Sequence, residues 1–296
     1  MKKELKKGFV PALGTPLDEN GFFLKDSFVR QIDLMLSAGA VGLLAMGSMG
    51  IQATIRFGEC RKVAEAALEA AAGRVPVYVG AMDCSIARAK ERLASMEDLD
   101  VAGFVFTAPY YNVVPAPKAL NFFKAVAAAT SHKIYLYDLP SVTQSKISYD
   151  MVMELVRTVP NLGGIKTADI NMIRKLMLTP ELPASFEILF SGLDMFDVGY
   201  SWGVCTHLDG MFTCVPANAK KMYEALAAGD ENTAAQCLSN ILFLRDHMLT
   251  LDLMPAYSAA MNLLGCKGIF NQDYCTPYSE SVKASMKEAM TKIGEF

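Results

Sequence analysis

Hydrophobic and polar positions follow two alternating periods along most of the chain. Short, almost continuous apolar runs have the length of a β-strand, and each is followed by a stretch with apolar residues at helical spacing. The first such pair is the run over residues 9–13 and the helical positions Phe28, Ile32 and Met35. Because the runs are apolar throughout, they predict strands that are buried on both faces, as in a parallel sheet.

This alternation predicts eight strand–helix units. The predicted strands cover residues 9–13, 41–46, 76–80, 102–106, 133–137, 162–166, 186–190 and 210–213. Eight units without a break in composition favour an α/β fold of the (β/α)8 TIM-barrel class. An open, doubly wound sheet is the alternative, but the Gly-x-Gly-x-x-Gly motif that would support it does not follow the first strand.

Only helical patterns follow the last predicted unit. We therefore expect residues 1–222 to form the (β/α)8 barrel and residues 223–296 to form a C-terminal helical extension that packs on the barrel. A length of 296 residues is ordinary for one barrel with such an appendage.

Composition and charge exclude several classes of function. A net charge of -3 argues against the basic surface of a nucleic-acid-binding protein. No apolar run is long enough to span a bilayer, and no apolar segment follows the amino-terminal lysines to make a signal peptide. The 7 cysteines include no Cys-x-x-Cys pair, which is typical of reduced thiols in a cytoplasmic protein. The 3 histidines are scattered, so we predict neither a metal nor another cofactor.

In a barrel of this class, the site lies at the carboxyl ends of the strands. Lys166 ends the sixth predicted strand, with an apolar run before it and a polar turn after it. A charged lysine is costly to bury at such a position, so Lys166 is a candidate for a neutral, nucleophilic amine. The alternative is a lysine whose aliphatic stem is buried while its ammonium group reaches the surface.

Hydroxyl groups arrive at the same rim from other strands. Ser48 follows the second strand, Tyr110 and Tyr111 follow the fourth, and Tyr137 ends the fifth. A lysine amine that attacks a ketone gives an iminium, which acts as an electron sink, and a nearby phenol can shuttle the proton that bond cleavage requires. Taken singly, each tyrosine is better explained as a core aromatic with its hydroxyl hydrogen-bonded, and Ser48 as part of a tight turn; their joint position at one rim with Lys166 is what favours the catalytic interpretation.

The motifs around these residues resemble those of a known family. Over nearly its whole length the chain resembles the dihydrodipicolinate synthase / N-acetylneuraminate lyase family of pyruvate-dependent class I aldolases. The glycine-rich turn of that family appears as Gly-Ser-Met-Gly-Ile at residues 47–51, and its Pro-Tyr-Tyr element is intact at residues 109–111. Its Tyr-Asn-x-Pro element appears as Tyr-Asp-Leu-Pro at residues 137–140, and its Gly-x-Lys element is present at residues 164–166.

This resemblance implies a role for each catalytic candidate. Lys166 would form the Schiff base with pyruvate or another 2-oxo acid, and Tyr137 would donate and accept the proton. Ser48 would provide the relay hydroxyl, and Tyr111 would complete the relay from a neighbouring subunit. The resemblance also implies a homotetramer built from two tight dimers, and a small-molecule aldehyde as the second substrate. The substrate-binding candidates are Gly47, Met49, Val142, Ser191, Gly192, Asp194 and Thr213.

Several positions depart from the family pattern. Met49 replaces a threonine that helps to bind the carboxylate, Ile51 replaces a glutamate, and Asp138 replaces an asparagine. Val142 stands where dihydrodipicolinate synthases carry an arginine, and valine offers no fork for a carboxylate. Asp194 is kept in the element after the seventh strand, whereas the glutamate that follows it in sialic-acid lyases is lost.

We therefore expect a Schiff-base lyase whose keto-acid half is preserved and whose aldehyde pocket is altered. One product class that fits is a 2-keto-3-deoxy sugar acid. The alternatives are a dihydrodipicolinate synthase or N-acetylneuraminate lyase proper, a dehydratase that uses the same iminium, and a non-catalytic family member that binds a small ligand.

Overall fold

The computed structural model describes residues 7–296, so the lysine-rich stretch at residues 2–6 lies outside the described part of the chain. Eight strands, joined in parallel, form one sheet in the order β1-β8-β7-β6-β5-β4-β3-β2. The strands are β1 (Gly8–Pro11), β2 (Leu43–Ala45), β3 (Val77–Gly80), β4 (Gly103–Thr107), β5 (Ile134–Tyr137), β6 (Leu162–Thr167), β7 (Glu187–Phe190) and β8 (Thr206–Asp209).

Contacts between the first two strands close the sheet into a barrel. Ala12 and Leu44 form a parallel bridge, and the Leu13 N–H donates to the Leu44 carbonyl at 2.8 Å. The Val41 N–H donates to the Phe9 carbonyl at 2.9 Å on the same seam. The strands follow one another around the barrel in chain order, so the (β/α)8 prediction is confirmed and the open, doubly wound alternative is wrong.

The buried apolar residues form an inner and an outer layer. The inner cluster fills the barrel with alternate residues of the strands, including Val10, Leu44, Val105, Leu189 and Leu208. The larger cluster lies between the sheet and the surrounding helices. This double burial explains why the strands are apolar at successive positions.

Helices surround the barrel and continue beyond it. They are α1 (Lys25–Ser37), α2 (Phe57–Ala71), α3 (Ile86–Ala94), α4 (Ala116–Ala127), α5 (Pro140–Thr143), α6 (Tyr149–Thr158), α7 (Ile170–Met177), α8 (Phe196–Ser201), α9 (Pro216–Ala228), α10 (Glu231–Leu251), α11 (Leu253–Leu263) and α12 (Glu280–Lys292). Within residues 7–296, no helix combines the length and the apolar character needed to cross a membrane.

The C-terminal helices are fixed to the rest of the chain by specific contacts. The carboxylate of Glu295 accepts the N–H groups of Ala217 and Asn218, both at 2.9 Å, and so satisfies the first turn of α9. Leu17 and Ile269 exchange two backbone hydrogen bonds of 2.8 Å, which hold the loop after β1 against the segment after α11. The division expected between residues 222 and 223 falls inside α9, and a division of the chain there stays a prediction.

The position of the eighth strand was wrong in the sequence prediction. Residues 211–214 form a 3-10 turn, and β8 is the preceding segment, which contains two polar residues and His207. The His207 ring is fully buried outside the barrel, where its Nε2 lies 2.8 Å from the Val204 carbonyl and its Nδ1 contacts the Tyr223 hydroxyl. A buried, hydrogen-bonded histidine breaks the apolar pattern, so periodicity selected the neighbouring apolar residues instead.

Candidate active site

Lys166 is buried at the carboxyl end of β6. Its side chain faces the barrel interior, beside Tyr137 of β5 and Leu189 of β7, which are its register partners. Only 5% of the residue is exposed. The Lys166 Nζ lies 4.0 Å from the centroid of the Tyr137 ring. The arrangement therefore holds an amine in a secluded position against the face of a phenol.

The Tyr137 side chain links Lys166 to the turn after β2. The Ser48 hydroxyl donates to the Tyr137 hydroxyl at 3.4 Å, across 89 residues of sequence. This distance is at the long end of a hydrogen bond. The structure thus brings three of the four predicted catalytic residues together, and their roles stay a prediction.

The turn over residues 47–50 has an unusual backbone. It is flanked by Met46 and Ile51, whose φ values are 55° and 49°. A positive φ is strained for a β-branched residue such as Ile51, which is nevertheless almost fully buried. Gly47 is buried, and a side chain there would meet Leu44 at 3.0 Å. These constraints fix the path of the turn that presents Ser48.

Met49 reaches from this turn to the end of β8. A Cβ atom on Gly210 would lie 2.9 Å from the Met49 side chain, so only glycine allows this approach. Met49 therefore lies against Gly210, which directly follows Asp209, the last residue of β8. Burial raises the pKa of the Asp209 carboxyl, although the Met211 N–H donates to it at 2.8 Å and Lys166 attracts its charged form.

Tyr111, the fourth catalytic candidate, lies away from these residues. Its side chain is 85% exposed and lines a cleft of about 860 Å³ between α3 and α4. Lys166, Tyr137 and Ser48 do not line this cleft. Within one subunit, Tyr111 therefore has no part in the contacts around Lys166, and a role across a subunit boundary stays a prediction.

Four more substrate-binding candidates lie in the segments that follow β5 and β7. Val142 lies in the short helix α5, and 55% of it is exposed. The Ser191 N–H continues the β7 ladder by donating to the Thr167 carbonyl at 2.9 Å. Gly192 packs so closely on the Phe190 ring that a side chain would lie 2.6 Å from it. Asp194 is exposed and forms a 2.7 Å ion pair with Arg245 of α10.

Thr213 is packed away from the rim. It is fully buried, and its hydroxyl lies 2.7 Å from the Gly210 carbonyl and 2.8 Å from the Tyr257 hydroxyl. Both contacts belong to the packing of the 3-10 turn on α11, so its hydroxyl is already hydrogen-bonded. Substrate binding by Thr213 stays a prediction, and the hydrogen bonds of its hydroxyl to Gly210 and Tyr257 do not support it.

Two polar residues that the sequence reasoning missed, Thr107 and Lys146, lie near the strands that carry the catalytic candidates. Thr107 ends β4 in register with Tyr137, and its buried hydroxyl has no hydrogen-bond partner among the described residues. On the outer face of the sheet, Asp138 and Lys146 form an ion pair. Thr107 could have been recognised from the sequence, because its hydroxyl directly follows an apolar run. No pattern in the segment before Lys146 indicates a role for that lysine. No three His, Cys, Asp or Glu residues within residues 7–296 are grouped to hold a metal ion.

The chain is similar to a known protein family and to named enzymes within it. The model of the dihydrodipicolinate synthetase family matches residues 5–294. The 4-hydroxy-tetrahydrodipicolinate synthase of Acidiphilium cryptum is 30% identical over 292 residues, which cover 97% of this chain and 98% of the relative. The enzyme of the same name from Phenylobacterium zucineum is 29% identical over 298 residues, with 97% of each chain covered.

Solved structures share the fold at lower identity. Dihydrodipicolinate synthase from Thermotoga maritima superimposes with a TM-score of 0.87 at 22% identity, covering 99% of this chain and 100% of that one. YagE, a prophage protein of the same family from E. coli K12 in complex with pyruvate, superimposes with a TM-score of 0.86 at 21% identity. The coverage in that case is 98% of this chain and 99% of the other.

Proposed function

This chain belongs to the dihydrodipicolinate synthetase family and is a lyase, and we propose that Lys166 is its Schiff-base nucleophile for pyruvate or a related 2-oxo acid. The observation that supports this most directly is the contact between the secluded Lys166 amine and the Tyr137 ring, with Ser48 beyond it. The pyruvate complex of the E. coli relative makes pyruvate the first substrate to test.

The proposed reaction begins with the neutral amine. Lys166 Nζ adds to the C2 carbonyl of the 2-oxo acid, and the resulting carbinolamine loses water to give an iminium. Loss of a proton from C3 gives an enamine, and C3 then attacks the aldehyde carbon. Hydrolysis releases the product and restores the amine, and cleavage runs through the same steps in reverse. Tyr137 moves the protons, with Ser48 as the next hydroxyl of the relay.

The second substrate is proposed to be a neutral or sugar-derived aldehyde. Val142 offers only apolar surface, where an arginine would bind a carboxylate through two parallel hydrogen bonds. Arg245 does not substitute for it, because its guanidinium group is paired with Asp194 and Asp246. The curated relatives are named as 4-hydroxy-tetrahydrodipicolinate synthases at 29% and 30% identity, so that activity is the main competing proposal.

A further candidate function is a dehydratase that uses the same iminium. Met49 and Ile51 are the residues of the turn after β2 that would favour a non-catalytic ligand-binding protein, an alternative that the lyase relatives argue against. The proximity of Lys166, Tyr137 and Ser48 favours an enzyme. We propose further that the protein is a tetramer of two dimers and works in the cytoplasm; its 7 cysteines are all free thiols, as a reducing compartment favours.

Borohydride trapping tests the central claim. We expect that protein incubated with pyruvate and borohydride gains the mass of one reduced adduct, and that Lys166→Ala does not. Lys133→Ala is the matched control, because Lys133 precedes β5 and lies near Glu187 at the opposite rim of the barrel. An unchanged mass with pyruvate and with every other 2-oxo acid tried would contradict the proposal.

A further inference from the structure

Two side chains connect the strands of the site on their outer face. Asp138 directly follows Tyr137, and Thr167 directly follows Lys166, so both lie on the opposite face of the sheet from the catalytic candidates. The Thr167 hydroxyl donates to Asp138 Oδ2 at 2.9 Å, and the Asp138 N–H donates to the Lys166 carbonyl at 2.9 Å. This pair of hydrogen bonds fixes the register of Tyr137 against Lys166.

Lys146 extends this connection to the helix after β6. Its ammonium group forms ion pairs with Asp138 Oδ2 and, at 3.0 Å, with Asp169 Oδ2. Asp169 caps α7 by accepting the Met172 N–H at 2.9 Å. The Ile147 N–H donates to Asp138 Oδ1 at 3.0 Å, so the same loop binds both oxygens of Asp138. The Lys146 ammonium group thus connects Asp138, which follows β5, with Asp169, which lies between β6 and α7.

We propose that Lys146 is a positioning residue, which acts through Asp138 and Asp169 to set the orientation and the proton equilibrium of Lys166. The inference rests on the proposed function, because it concerns the reactive form of that amine. Asp138 is only 4% exposed and lies one residue beyond the register partner of Lys166. A charge at this position therefore acts on Lys166 through protein rather than through bulk water.

The direction in which Lys146 shifts the protonation of Lys166 follows from the charges of Lys146, Asp138 and Asp169. Lys146 balances one of the two carboxylates that contact it, which leaves one net negative charge behind Lys166. Without Lys146, both carboxylates are unbalanced, and they stabilise the unreactive ammonium form of Lys166. Burial lowers the pKa of Lys146, but its hydrogen bonds with Asp138 and Asp169 outweigh this and raise it, so Lys146 stays charged at neutral pH.

The other groups that face Lys166 are unchanged when Lys146 is replaced. Tyr137 lies against its amine from β5, and Asp209 at the end of β8 interacts with Lys166 through its charge. Asp194, in the segment after β7, and Arg245, in α10, form an ion pair whose charges act on Asp209. These groups are the same in the wild type and in the variants. A difference between the pH profiles of wild type and variant therefore reports on the ion pairs of Lys146 with Asp138 and Asp169.

The test is the pH dependence of pyruvate trapping by borohydride. In Lys146→Met, we expect the pH of half-maximal trapping to rise by a fraction of a unit, on the order of half a unit, relative to wild type, because the Lys146 side chain is 42% exposed and water screens its charge. Lys146→Arg keeps the charge and should restore the wild-type profile. Lys124→Met is the matched control, because it removes a lysine from an ion pair with Glu154 between α4 and α6, remote from the barrel rim.

A second variant tests the opposite sign. Asp169→Asn removes one carboxylate while asparagine can still cap α7, so the profile should move to lower pH. It also keeps the proposal testable if Lys146→Met does not fold. Unchanged profiles in folded Lys146→Met and Asp169→Asn, or a shift of the wrong sign in either, would overturn the proposal. If wild type gives no adduct at any pH, the Schiff-base function itself fails, which is a distinguishable outcome.

Discussion

The Lys166 Nζ lies 4.0 Å from the centroid of the Tyr137 ring, and both side chains point into the barrel from neighbouring strands. The register of β5 on β6 sets this relationship, since the two residues are paired across the sheet. A rigid, buried pair of this kind keeps an amine and a phenol close without a loop movement.

Removing the Tyr137 hydroxyl should slow turnover more than it weakens binding of the 2-oxo acid. For Tyr137→Phe we expect kcat to fall by about 10²–10⁴-fold, the usual contribution of a positioned proton donor. Steady-state kinetics with pyruvate and a neutral aldehyde that the wild type accepts would measure this. Tyr149→Phe is the control, because Tyr149 contacts Thr179 on the outside of the barrel. A fall confined to KM would contradict a role in proton transfer.

Mixing two inactive variants tests whether Tyr111 acts across a subunit boundary. Tyr111→Phe keeps Lys166, and Lys166→Ala keeps Tyr111. If each site takes its Tyr111 from a neighbouring subunit, mixed oligomers regain part of the wild-type activity, because the Tyr111→Phe subunit then has a complete site. Activity after co-refolding measures this. The exposed position of Tyr111 motivates the experiment, and mixtures with no regained activity would contradict the shared site.

An arginine at position 142 should change aldehyde preference. Val142→Arg adds the fork that binds a carboxylate, so kcat/KM for an aldehyde that carries a carboxylate should rise by about tenfold. The gain is modest because the position is half exposed to water. Val142→Gln, which adds length without charge, is the control. Equal responses of neutral and carboxylated aldehydes to Val142→Arg would show that this position does not contact the second substrate.

A methyl group at Gly164 should destabilise the barrel. The Cβ atom of Gly164→Ala would lie 2.2 Å from the Glu187 carbonyl oxygen, a backbone atom of the adjacent strand. We expect the free energy of unfolding to fall by at least about 2 kcal/mol, measured by denaturant titration. In Gly58→Ala, the new Cβ at the start of α2 meets no atom within 4 Å, so this control should be neutral or slightly more stable.

His207 should make stability depend on pH in the acid range. Burial lowers the pKa of this ring from 6.5 to about 4 in the folded chain. The unfolded chain therefore binds a proton first as the pH falls, and the free energy of unfolding should drop by about 3 kcal/mol between pH 6.5 and 4. Above pH 6.5 the His207 ring is neutral in both the folded and the unfolded chain, so no stability is lost to its protonation. Chemical denaturation at several pH values would measure it, and His207→Gln should flatten the profile within the window.

The barrel could be predicted from the sequence because the signals for its strands and helices are local. Each strand is an apolar run and each helix an apolar stripe, and both signals lie within a few residues of one another. The order of eight such units left few topologies to consider. The same reasoning placed Lys166, Tyr137 and Ser48 at one rim, since all parallel strands of a barrel end on the same side.

Tertiary structure decided the features that depend on contacts between distant parts of the chain. The eighth strand contains His207, which is tolerated only because Val204 and Tyr223 complete its hydrogen bonds. The Ser48–Tyr137 contact joins residues 89 positions apart, so only the closed barrel could bring their hydroxyls together. The ion pairs of Lys146 arise in the same way, behind the strands rather than along them. The sequence by itself determined that Lys166, Tyr137 and Ser48 reach one rim, because periodicity is a property of short segments, and the folded barrel determined which residues touch there.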